Sequence, residues 1–140
     1  MVTDSALSLL GLALRGNHLA VGEEPVREAC KTRRANLVLI AADAADNSAD
    51  RARRWAEEGG VPWTQVPWDK AALGGALGRS VCALAAMTDM GLAAAMAGKL
   101  AGLDARYLPL ARRLAEEQPG RPKTTKKKNA RARRPAVPET

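Results

Sequence analysis

Histidine occurs once in this chain and cysteine twice, and those scarcities exclude several kinds of chemistry. Any Ser/His or Cys/His nucleophile pairing would depend on His18 alone, which lies where a helix passes into a strand, a capping or surface position. Cys30 and Cys82 are too few and too far apart for a disulfide framework, and each sits in an apolar run that suits a buried, reduced thiol. No apolar stretch approaches the ~18 residues of a membrane span. The N-terminus also lacks the charged region of a signal peptide, so a cytoplasmic location is expected.

Charge is present in excess, but unevenly. The chain carries 22 Lys+Arg against 15 Asp+Glu, a formal net charge of +7. Residues 1–102 hold 11 of each sign and cancel; residues 103–140 hold the other 11 basic residues against 4 acidic ones. The pattern is that of a neutral globular body, 1–102, with a basic arm, and such arms contact nucleic acid or another anionic surface. An anionic membrane fits less well, because the arm has no Trp/Phe/Leu face.

Along the body, helical and strand patterns alternate. Leu7, Leu10 and Leu14 predict a helix over 4–16, capped by Thr3 or Asp4. "HLAVG" reads as a short strand, followed by a helix from about Glu23 to Arg34 with Val26, Ala29 and Cys30 inward. "NLVLIAA" (36–42) and "VCALAAM" (81–87) are continuous apolar runs of the kind that form buried strands. Between them come a helix over about Ser48–Glu58, a strand at 61–67 with prolines near both ends, and a glycine-weakened helix at 69–78. After the last strand, Thr88 or Asp89 caps a helix with Leu92, Met96 and Leu100 on one stripe and a stop at Gly102. A further helix near Pro109, with Leu110, Ala111 and Leu114, falls in 103–118. The predicted fold class is α/β, with helices on both faces of the sheet. From Pro119 onward the chain has too little apolar content to offset its ordering entropy, so 119–140 is expected to be a disordered basic tail.

Catalytic signatures are scarce. Asp43, Asp46 and Asp50 have acid-cluster spacing, but they precede and open a helix, where carboxylates suit the dipole. "LGGALG" lacks the Gly-Lys-Ser/Thr ending of a phosphate loop. Trp55 has helical spacing with Ala52 and Ala56 and is assigned to the core; Trp63 and Trp68 flank the third strand and are open between core and stacking roles. No catalytic residue, metal site, cofactor or small-molecule substrate emerges.

Several segments, taken in order, resemble one family. "LLGLALRGNHLAVGEEPVREA", "RANLVLIAADAADNSADR", "VPW", "LGGALGR" and "CALAAMTDMGLAAAM" are similar to the kink-turn-binding large-subunit ribosomal proteins (L-seven-Ae), nearest the small bacterial members of the YlxQ type. The match runs from about Leu9 to Leu100. It implies a three-layer α-β-α sandwich on a mixed four-stranded sheet, and a non-enzymatic RNA-binding protein whose partners are rRNA or another structured RNA and, through it, the ribosome or its assembly factors.

The resemblance also implies where RNA would meet the chain. The first place is the turn at Gly22, Glu23 and Glu24. Many relatives read Gly-Thr-Asn-Glu there; this chain has Glu24 at the Asn position, Pro25 at the Glu position and Glu28 where a lysine follows. The second is the acidic turn after the central strand, where Asp43 is kept and Ala42 replaces a glutamate. The third is Gly78-Arg79-Ser80. Arg15, Arg27, Lys31, Arg33 and Arg34 are expected near the same edge as phosphate contacts. In the tail, Arg121, Lys123, Lys126, Lys127, Lys128, Arg131, Arg133 and Arg134 supply cations for sequence-independent binding. Two rival readings stay open: a protein-interaction module that has lost kink-turn recognition and is tethered to RNA by its tail, and a DNA-binding nucleoid protein.

Overall fold

A computed structural model describes residues 4–117. The expected Thr3 cap and the whole 119–140 tail, with its eight cations, lie outside the described residues. In chain order the elements are α1 (Asp4–Arg15), β1 (Leu19–Val21), α2 (Glu23–Lys31), β2 (Leu37–Ile40), α3 (Asp46–Gly59) and β3 (Trp63–Gln65). Then come α4 (Lys70–Ala76), β4 (Leu84–Met87), α5 (Met90–Leu103), a 3₁₀ turn (Ala105–Tyr107) and α6 (Leu108–Glu117).

The sheet has the order β1-β4-β2-β3. β4 runs antiparallel to both β1 and β2, and β3 runs parallel to β2, so the sheet is mixed. Side-chain alternation explains why the two central strands are apolar throughout. Leu37, Leu39, Ala85 and Met87 face one core with Leu10, Met96, Leu100 and Leu114 from α1, α5 and α6. Val38, Ile40, Leu84 and Ala86 face the other core with Val26 from α2 and Ala52 and Ala56 from α3. Both faces are covered, and no polar alternation survives. The architecture is an α-β-α sandwich.

Element ends differ from the sequence expectation for identifiable reasons. α2 stops at Lys31 rather than Arg34: the Thr32 hydroxyl donates back to the Glu28 carbonyl, and Arg33 turns into the left-handed region at φ +63°. α3 begins two residues early, at Asp46. β3 shrinks to three residues, although Pro62 O still accepts from Val38 N and Val66 N still donates to Ile40 O. Gly102 does not stop α5; Asp104 ends it, its carboxylate accepting from Arg106 N at 2.9 Å. Asp89, not Thr88, caps α5 by accepting from Leu92 N. The last segment is stitched to the sheet, with the Tyr107 hydroxyl donating to Gln65 O at 2.8 Å and the side chain buried.

Candidate nucleic-acid interface

Strand directions decide what shares an end of the sheet. β1 leaves the sheet at Val21, opposite Ala85, and β2 leaves at Ile40, opposite Leu84, where β4 enters. Gly22 N donates to Leu84 O at 3.0 Å and Ala41 N to Ala83 O at 2.9 Å, so the ladder continues into the loops. The Gly22 turn, the Asp43 turn and the loop ending at Ser80–Val81 therefore lie together at one end.

Each loop is shaped by a specific device. Gly22 sits at φ +99°, ψ 170°, a conformation open essentially to glycine alone, and this turns the chain from β1 into α2. Asp43 does not float: its Oδ1 accepts from Lys70 N at 2.8 Å, which ties the second loop to the start of α4. The third loop folds back on α4, with Arg79 N donating to Gly74 O at 2.7 Å. A Cβ at Gly74 would lie 2.7 Å from Val81 Cα, so only glycine permits that approach. Gly78, at φ +73°, makes the bend. Arg79 and Ser80 are exposed, and the Arg79 guanidinium forms no hydrogen bond or ion pair with the described residues.

The two glutamates of the first turn divide their roles. Glu23 reaches across to α3, where it accepts from Arg51 Nη2 at 2.8 and 2.9 Å, from Arg51 Nε at 3.2 Å and from Ser48 Oγ at 2.6 Å. The Arg51 hydrogen bonds, then that of Ser48, hold its carboxyl below the usual range despite some desolvation. Glu24 points to solvent, 81% exposed, with Arg27 at 3.6 Å. Sequence reasoning missed both the Glu23 clamp and Val81, an aliphatic side chain 58% exposed beside Ser80.

The basic residues expected along this edge do not stay together. α2 carries the chain away from the loop end: Asn36 N donates to Met87 O, at the far end of β4. Lys31, Arg33 and Arg34 follow it there, and Arg15 precedes the turn into β1 at that same far end. Only Arg27, midway along α2, lies between the two ends. That is a correction to the expected single basic edge, and its cause is the reversal of direction between β1 and α2.

The remaining singled-out residues are structural or half-buried. His18 is exposed, and its backbone closes the α1–β1 junction through bonds with Ala13 O and Thr88 N. Asp46 opens α3, and Asp50 ion-pairs with Arg53. No three His/Cys/Asp/Glu side chains form a metal-binding group among the described residues. Cys30 and Cys82 are buried thiols pushed up by desolvation. Trp68 is buried with no hydrogen-bond partner for Nε1 among the described residues; Trp63 is 36% exposed beneath the Arg53 guanidinium at 5.5 Å; Trp55 packs half-buried on the α2–α3 core. No helix of the described residues is long and apolar enough to cross a membrane.

A small α-β-α sandwich with three loops gathered at one end of a mixed sheet is the class this geometry defines. The profile of the Ribosomal protein L7Ae/L30e/S12e/Gadd45 family matches residues 4–96, and the chain belongs to that family. It is 35% identical over 85 residues to the RNA-binding protein YlxQ of Bacillus subtilis, a match covering 61% of this chain and 84% of YlxQ. Among solved structures, it resembles a protein with unknown function from Bacillus halodurans C (TM-score 0.63, 28% identity, 68% of this chain and 95% of that one). It also resembles the Giardia lamblia 15.5kD RNA binding protein (TM-score 0.57, 25% identity, 73% and 89%).

Proposed function

We propose that this chain is a non-enzymatic RNA-binding protein of ribosomal type, working in the cytoplasm on rRNA or another structured RNA. The observation that carries the reading is the convergence of the Gly22, Asp43 and Gly78–Ser80 loops at one end of the sheet. Two similar proteins, from Bacillus subtilis and Giardia lamblia, are named as RNA-binding. Arg79 supplies the phosphate contact there, Val81 an apolar face, and Glu24 an acceptor for a guanine amino group. Glu23 holds the turn instead of reading RNA, because Arg51 and Ser48 occupy its oxygens. The tail cations from Arg121 to Arg134 add sequence-independent affinity and bring the chain to the ribosome or its assembly intermediates.

The test is binding of the full chain to a kink-turn RNA and to a plain duplex of equal length. Preference for the kink-turn, reduced roughly tenfold (about 1.4 kcal/mol) by Arg79→Ala, supports the reading. Equal binding of both RNAs, unchanged by Arg79→Ala, favours the rival in which the sandwich docks on a protein and only the tail touches RNA. That rival rests on the clamped state of Glu23 and on Pro25 standing where relatives carry a glutamate.

A further inference from the structure

The seam between α2 and α3 opens, beyond the Glu23–Arg51 pair, into a groove of about 390 Å³ lined by Arg27, Lys31, Arg33, Arg54, Trp55 and Glu58. Its floor is the last turn of α2 against Gly59, where a Cβ would sit 2.8 Å from Cys30 O; the glycine lets the two helix ends close on each other. Four cations face one carboxylate. The side chains of Lys31, Arg33 and Arg54 form no ion pair or hydrogen bond with the described residues, and that of Arg27 has only its loose contact with Glu24. Helix dipoles account for part of this, since Lys31 and Arg33 lie at the C-terminal end of α2. They do not account for Arg54, in the body of α3, or for Arg27. Nor do they explain why an arginine occupies position 33 at φ +63°, where glycine is favoured.

We infer that this groove is a second RNA-contact surface, which takes the phosphates of an unpaired strand on Lys31, Arg33 and Arg54 and a base against Trp55. Guanidinium forks match phosphate oxygens in pairs, and an indole face accepts any base. Packed helices stand only about 8–10 Å apart, so the seam between them admits a single strand and excludes a duplex. Trp55 is the one large apolar side chain in the lining, which argues against a protein partner. The inference rests on the chain being an RNA binder but not on the loops, which lie at the other end of α2.

The experiment uses the full chain and an unpaired eight-nucleotide oligouridylate, too short to build a structured element, titrated over a range of salt. The groove triple variant Lys31→Gln, Arg33→Gln, Arg54→Gln is compared with a control triple, Lys99→Gln, Arg106→Gln, Arg112→Gln, which removes equal charge from the α5–α6 side of the sheet. The groove triple should bind roughly tenfold more weakly, and its log–log salt slope should shrink by about 2, from three contacts at about 0.7 each. The control should change affinity less than twofold. Arg33→Gly should melt higher than wild type and bind more weakly. Equal losses in the two triples, or Arg33→Gly with unchanged affinity, would overturn the inference. So would an octaglutamate peptide that binds as tightly as the RNA and is lost in the groove triple, since the groove would then belong to an acidic protein. Loss of kink-turn preference with groove binding intact would sink the loop reading and leave this one standing.

Discussion

Glu23 and Arg51 stand 28 residues apart in sequence, and their side chains meet in a forked ion pair that spans α2 and α3. The carboxylate at the mouth of the first loop is therefore an internal strut, and its charge is already answered within the protein. Net attraction for a polyanion at this turn does not have to overcome it.

Removing that strut has a calculable signature. Both side chains are about two-fifths exposed (40% and 41%), so solvent screens the pair, and Glu23→Gln should cost only about 0.5–1 kcal/mol in urea unfolding. Because the folded carboxyl lies below its unfolded value near 4.3, the contribution is fully present above that value and is lost as pH falls through the folded one. The wild-type advantage should thus be constant at neutral pH and vanish in strong acid. An advantage that stays at its neutral-pH size however strong the acid would contradict the assignment.

Gly74→Ala tests the third loop through its neighbour. The added methyl would meet the Ser80–Val81 backbone at 2.7–2.8 Å, so either α4 or the loop must move. A loss of about 1–3 kcal/mol is expected, with weaker RNA binding in the fraction that stays folded. Gly75→Ala, one residue on, meets nothing within 4 Å and serves as the control.

Asp43 offers a separation of structure from recognition. Its bond to Lys70 N predicts that Asp43→Ala costs about 1 kcal/mol, as loss of a helix cap does, while Asp43→Asn costs less because an amide oxygen can still accept. Thermal melts of the two variants, with RNA absent, are enough to decide it.

Thiol chemistry should report the integrity of both cores. Cys30 lies in the α2–α3 core and Cys82 in the other, and desolvation raises both thiols above the usual range. A disulfide reagent at pH 8 should react slowly with the native chain and quickly in denaturant. With folded values raised, their contribution to stability is fully present below the unfolded thiol value near 8.5 and is lost as pH climbs through the folded values. Rapid native labelling of either cysteine would mean its core is open.

Local patterns made most of the architecture legible. "LVLI" and "LAAM" announced doubly covered strands because both faces demand apolar side chains, and Asp89 announced a helix start because a cap acts within three residues. The same locality hid the rest. The partner of Glu23 lies on another helix, and nothing in "GEEPVREACK" points to Arg51. Lys31, Arg33 and Arg34 were expected beside the Gly22 turn because they are near it in sequence. A nine-residue helix carries them away by about 1.5 Å per residue, to the other end of the sheet. Trp68 looked no different from Trp63 on paper; the fold buries one and leaves the other partly exposed beneath Arg53.

The placement of β4 between β1 and β2 bears on how the chain comes to exist. The first two strands to be synthesised never touch each other; each finds its bonds only on a strand made later. An emerging polypeptide can form helices and the β2–β3 pair early, but β1 waits for Leu84–Met87. Its pairing with β4 is what sets the Gly22 loop beside the other two. A chain cut short before residue 84 would keep every loop residue through Ser80 yet lack the strand that brings the loops together. Joining the Gly22 loop to the other two therefore requires β4, a consequence of strand order and not of any one loop.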